Sequence, residues 1–241
     1  MVSTFDLIAG ILTLLPLVIG YTMGVITLRI YLQKSRSTLV LLTAILFFAL
    51  PSPWLGVSTV FVEQLLGLKV LNDTTYVFLY AWSIPIIATI WLYTSASLLK
   101  FSDKIKWVVL VITLVVDALF LYSIYVQKDF EVNKVPDSIF YDSTFTGNAS
   151  LISTLMVVSI IVIVVPLYFW IAYRTDDKLF TFKARFIGLG ALLFSIAAGL
   201  DANLELSTVG IIAFVRFFLV ISLICLYLGY NTPNSIRQRY Q

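Results

Sequence analysis

Seven apolar stretches, each set off from the next by a short polar break, make up most of this chain. A helix needs about 20 mainly apolar residues to cross the hydrocarbon core of a bilayer. The stretches at about 6–32, 38–66, 75–99, 105–127, 150–173, 183–205 and 208–230 meet that length. The pattern predicts an all-α fold: a single integral membrane domain over 1–241, built as a seven-helix bundle with lipid as its outer solvent. The amino terminus reads as the first span rather than a cleaved signal, because Asp6 stands where a basic segment is needed and the apolar run is too long.

Composition supports this reading and removes several function classes. Of 241 residues, 60% are hydrophobic and only 12% charged, whereas soluble domains carry about 25% charged residues. The spans and their loops use nearly the whole length, leaving no room for a soluble domain. No basic stripe extends beyond the short loops, so nucleic acid is not an expected partner. With no histidine and one cysteine, the usual haem, zinc and copper sites are excluded, and no metal or cofactor is expected. Cys225 lies in an apolar run and reads as a small packed hydrophobe. No catalytic signature is present, and the chain reads as a non-enzyme.

The distribution of charge gives an orientation. Twelve of the sixteen lysines and arginines fall on one side of the alternation: Arg29, Lys34, Arg36, Lys100, Lys104, Lys106, Arg174, Lys178, Lys183, Arg185, Arg237 and Arg239. Lys69, Lys128 and Lys134 fall on the other, and Arg216 lies inside span seven. The positive-inside rule places the amino terminus outside and the carboxyl terminus in the cytoplasm. Two acceptor sequences for glycosylation, at Asn72 and Asn148, fall on the outside loops. The outside loop from Lys128 to Ala149 carries acidic and aromatic residues together and suits a short hairpin or lid.

Candidate chemistry sits within the spans. Asp117 lies halfway along span four, Arg216 lies in span seven, and Asp201 and Glu205 lie one turn apart at the outer end of span six. Buried charges in a membrane must pair, titrate or meet water. Arg216 is roughly 13 Å below the outer end of its span at 1.5 Å per residue, within reach of Asp201, with Asp117 as the other available partner. Trp91 is mid-span in span three, beyond Pro85, and could line a cavity. Trp54, Tyr76, Tyr80, Trp82, Trp107 and Trp170 read mostly as interfacial anchors. Pro16, Pro51, Pro53, Pro85 and Pro166 each remove a backbone donor and tend to kink their helices. Span seven has no lysine to carry a retinal Schiff base, and the Gly-x-Gly-Asp signature of intramembrane aspartyl proteases is absent, the context being Ala-Gly-Leu-Asp201.

The last third of the chain resembles a known group. The run Phe182-Lys-Ala-Arg-Phe-Ile-Gly-Leu-Gly190, then Leu-Leu-Phe194, Gly-Leu-Asp201, Arg216, Leu228-Gly-Tyr230 and Pro233 with a basic tail carry the likeness. They resemble the seven-helix sensor regions at the amino termini of prokaryotic histidine kinases and related stand-alone archaeal membrane proteins. The resemblance implies a bundle that senses a signal and passes it to a cytoplasmic output domain. The sequence after Pro233 carries no such domain, so the expectation is either a separate cytoplasmic protein partner or a chain that is part of a longer protein. The expected function is a receptor-like module in the cell membrane, binding a small ligand in the outer half. Its candidate residues are Asp117, Asp201, Glu205, Arg216 and Trp91. A small-solute transporter or channel and an accessory subunit of a membrane complex are the alternatives.

Overall fold

The structure is a computed structural model that describes residues 3–135, 138–203, 209–233, 236 and 238. Among these, seven helical spans are long and apolar enough to cross a bilayer: Thr4–Gln33, Thr38–Leu65, Asp73–Leu98, Asp103–Gln127, Gly147–Arg174, Lys178–Ala202 and Val209–Tyr230. The fold is an all-α seven-helix bundle consistent with an integral membrane protein. Each span packs on its neighbours in sequence, and span seven returns to pack on span one, closing a ring. Large apolar side chains face outward, as lipid exposure requires; span four alone presents Val108, Val111, Ile112, Leu114, Val115 and Leu119.

Prolines shape three of the spans. Span two is α-helical over Thr38–Ala49, tightens into a 3₁₀ turn at Ser52–Trp54 between Pro51 and Leu55, and resumes over Leu55–Leu65. Span three is interrupted at Trp82 and Ser83 and restarts at Ile84, so that Pro85 occupies a first-turn position where its missing N–H costs nothing. Span five widens into a π turn at Ile160–Val164, just before Pro166; the wider turn gives the proline ring room that a regular helix denies it. Pro16 behaves differently from expectation, because span one runs unbroken from Thr4 to Gln33 around it.

Span four ends at Lys128 in the left-handed conformation, and the chain enters an antiparallel hairpin. Its strands are β1 (Phe130–Lys134) and β2 (Tyr141–Phe145), with Phe130 opposite Phe145 and Lys134 opposite Tyr141. The hairpin is a roof over one end of the bundle. Phe140 stacks on Phe61 of span two at 5.4 Å, and Phe145 sits between Tyr80 at 5.2 Å and Phe120 at 5.3 Å. Ser138 donates to the buried carboxylate of Asp6, which also accepts from the backbone N–H and hydroxyl of Ser3 in the capping box that starts span one. The roof is therefore pinned to the first turn of the chain. At the opposite end, Asn231 donates to Thr27 at 2.6 Å and ties the end of span seven to span one.

Candidate functional site

Asp201 and Arg216 lie on the consecutive spans six and seven and meet inside the bundle. Both guanidinium Nη atoms reach the two carboxylate oxygens at 2.8 Å, a bidentate pair with both side chains almost fully buried. The indole N–H of Trp54, released into the interior by the 3₁₀ turn in span two, donates to the same carboxylate at 2.9 Å. The Arg216 guanidinium also lies 5.3 Å from the centre of the Trp54 ring. One charge-assisted hydrogen bond, a second ion-pair contact, an indole donor and an aromatic face together offset the desolvation that an isolated charge suffers here. Trp54, read from sequence as an interfacial anchor, is in fact 2% exposed. Tyr76 and Tyr80 are also buried, under the hairpin, while Trp82, Trp107 and Trp170 remain at the surface as anchors do.

A cavity of about 70 Å³ opens beside this pair. Spans two, three, five and six and the hairpin wall it, through Trp54, Ile87, Met156, Phe194 and Phe145 among others, with Asp201 at its edge. Its lining is almost wholly apolar. The disrupted turns of the bundle converge on it: Pro53 and Trp54 belong to the break in span two, Ile84 follows the break in span three, and Ile160 begins the π turn in span five. Helices that fail to pack as straight rods leave space between them, and this is where the space falls.

The other sequence candidates separate. Asp117 does not join Arg216; Thr89 of span three donates to one of its oxygens, and the other has no partner among the described residues. Trp91 is fully buried but does not line the cavity; its ring meets Phe194 edge-on at 5.7 Å, and Phe194 in turn meets Trp54 at 6.0 Å. Glu205 lies outside the described residues. Asn72 caps the start of span three by accepting from Thr75 N–H, and Asn148 opens span five with its amide donating to Gln127; both are exposed.

Sequence reasoning missed a second polar group, toward the other end of the bundle. Trp91 and Ser95, one turn apart in span three, face Tyr168 of span five and Tyr230, the last residue of span seven. Tyrosines near span ends look like interfacial anchors in a sequence. Only the chain's path shows these two pointing inward. Between the two polar groups the bundle is a packed apolar layer, with the Phe194 ring touching Trp54 on one side and Trp91 on the other. Among the described residues no group of three His, Cys, Asp or Glu is placed to hold a metal. Neither protein-family models nor curated proteins give a match to this chain.

Proposed function

We propose that the chain is a receptor-like sensory membrane module, with its amino terminus outside and its basic loops facing a cytoplasmic protein partner. The observation that carries this reading is the apolar cavity roofed by the hairpin, floored by a neutralised ion pair, and bordered by three broken helices. An uncharged, apolar ligand suits it, because Arg216 and Trp54 already occupy the Asp201 carboxylate. Filling the cavity presses on Trp54 and Phe194, and Phe194 touches Trp91. That gives a physical route from the roofed end to the opposite one. Signalling then needs two packings of the bundle whose populations the ligand shifts.

A transporter is the second reading, and the polar group around Tyr168 and Tyr230 favours it, since polar side chains then occur in both halves. The packed layer between the halves counts against a continuous path.

One experiment separates them. The protein is reconstituted and exposed to benzene and short n-alkanols, with thermal unfolding and solute flux followed in parallel for wild type and Ala88→Leu, which fills the cavity wall. The sensory reading expects stabilisation of wild type over the variant by about 2–4 °C, near 1 kcal/mol for a chain of this size, without flux. Identical responses in both proteins, or flux that the variant loses, would overturn it.

A further inference from the structure

Four polar atoms converge in the half of the bundle away from the hairpin: Trp91 Nε1, Ser95 Oγ, Tyr168 Oη and Tyr230 Oη. All four are sealed from solvent, and none makes a well-aligned hydrogen bond with another group among the described residues. Trp91, Ser95 and Tyr168 are themselves at least nine-tenths buried. The hydroxyl of Tyr230 faces those of Tyr168 and Thr94 and the indole of Trp91, and the hydroxyl of Tyr168 faces Ser95. Thr94 is committed as a donor to the carbonyls of Ile90 and Trp91. Leaving one such group unsatisfied is costly, and native proteins rarely leave several together.

Space lies beside the two tyrosines. Two cavities of about 150 Å³ each flank the Tyr230 ring. One is lined by Thr94 and Asn231, the other by Tyr168 and Gly229. A water needs only about 10–15 Å³ and two to four polar partners.

The donor set narrows the occupant. Trp91 Nε1 can only donate, so the occupant must accept. The three hydroxyls each carry lone pairs as well as a proton, so an occupant that also donates satisfies more of them. A metal cation cannot accept from the indole, and an anion without a proton cannot donate. Water does both.

From this geometry we infer that Trp91, Ser95, Tyr168 and Tyr230 form a hydration site that binds ordered water and links spans three, five and seven through it. The site is separate from the cavity under the hairpin and needs no ligand there to bind water.

The sign of a stability change tests it. Tyr168→Phe, Tyr230→Phe and Ser95→Ala are made singly and in pairs, and thermal unfolding is measured in detergent. A shared water predicts that each single change lowers the midpoint by about 2–4 °C. It also predicts non-additivity between Ser95 and Tyr230, which do not face each other directly. A rise in midpoint on removing either tyrosine hydroxyl would show an unpaired group and sink the proposal. So would coupling confined to Tyr168 and Tyr230, which is the mark of a direct bond. An infrared difference spectrum between wild type and Tyr230→Phe provides a second readout. An O–H band that shifts in oxygen-18 water is expected, and its absence overturns the site.

Discussion

At the residue scale, the Asp201–Arg216 pair governs both the stability and the shape of the cavity floor. Removing one member strands the other as an uncompensated buried charge. Arg216→Met should therefore cost about 3–5 kcal/mol. The double replacement Asp201→Leu with Arg216→Met removes both charges and should recover most of that loss, which thermal unfolding in detergent will show. Failure of the double variant to recover would mean that the pair's geometry, and not its charge balance, holds spans six and seven in place. The sequence made this pair legible, because two charges inside consecutive apolar spans have few other partners. It did not reveal the third member. A tryptophan beside two prolines reads as a span end, and only the 3₁₀ turn at Ser52–Trp54 turns it toward Asp201.

At the scale of elements, spans six and seven pack closely because they share small residues. A side chain at Gly190 would meet the backbone of Leu226 at 2.9 Å and the carbonyl of Ser222 at 2.9 Å. One at Gly229 would meet the backbone of Ile187 at 2.9 Å and the carbonyl of Lys183 at 3.0 Å. Each helix thus uses a glycine to let the other's backbone approach, the usual means of association where no water drives it. Gly190→Leu should cost about 1–3 kcal/mol or more, since backbone cannot yield as a side chain does. Gly210→Ala, in span seven with open space around it, should be neutral or gain about 0.4–1 kcal/mol. Equal effects at both positions in an unfolding assay would refute close backbone contact at Gly190. Both glycines fall within the segments that carry the family resemblance, but a motif shows only where a glycine stands. The backbone it admits appears only once two helices are side by side. The hairpin is a similar case. Its mixed acidic and aromatic composition suggested a lid, whereas its attachment to Asp6 crosses 132 residues of chain and leaves no local trace.

For the whole molecule, an odd number of crossings puts the ends of the chain on opposite faces, with the basic loops at the end away from the hairpin. Apolar periodicity made the spans legible to within a few residues, because burial in lipid leaves so few choices of composition. Which face is outside rests on charge asymmetry and on the two acceptor sequences at Asn72 and Asn148. It can be tested in a Cys225→Ser background by single cysteines at two exposed positions, Asn133→Cys in the hairpin and Lys104→Cys in the first turn of span four. A membrane-impermeant maleimide should label the first in intact cells and the second only after permeabilisation. The reverse result would turn the bundle over and place the hairpin inside.

The edge-on chain of Trp54, Phe194 and Trp91 also gives the protein a built-in optical probe. Of its five tryptophans, the two buried ones touch the same phenylalanine, and one of them shares its indole with a cation and a carboxylate. Replacing Trp82, Trp107 and Trp170, all at the surface, with phenylalanine would leave an emission spectrum that comes entirely from the interior. Motion between the two halves could then be read as a change of colour, with no dye attached.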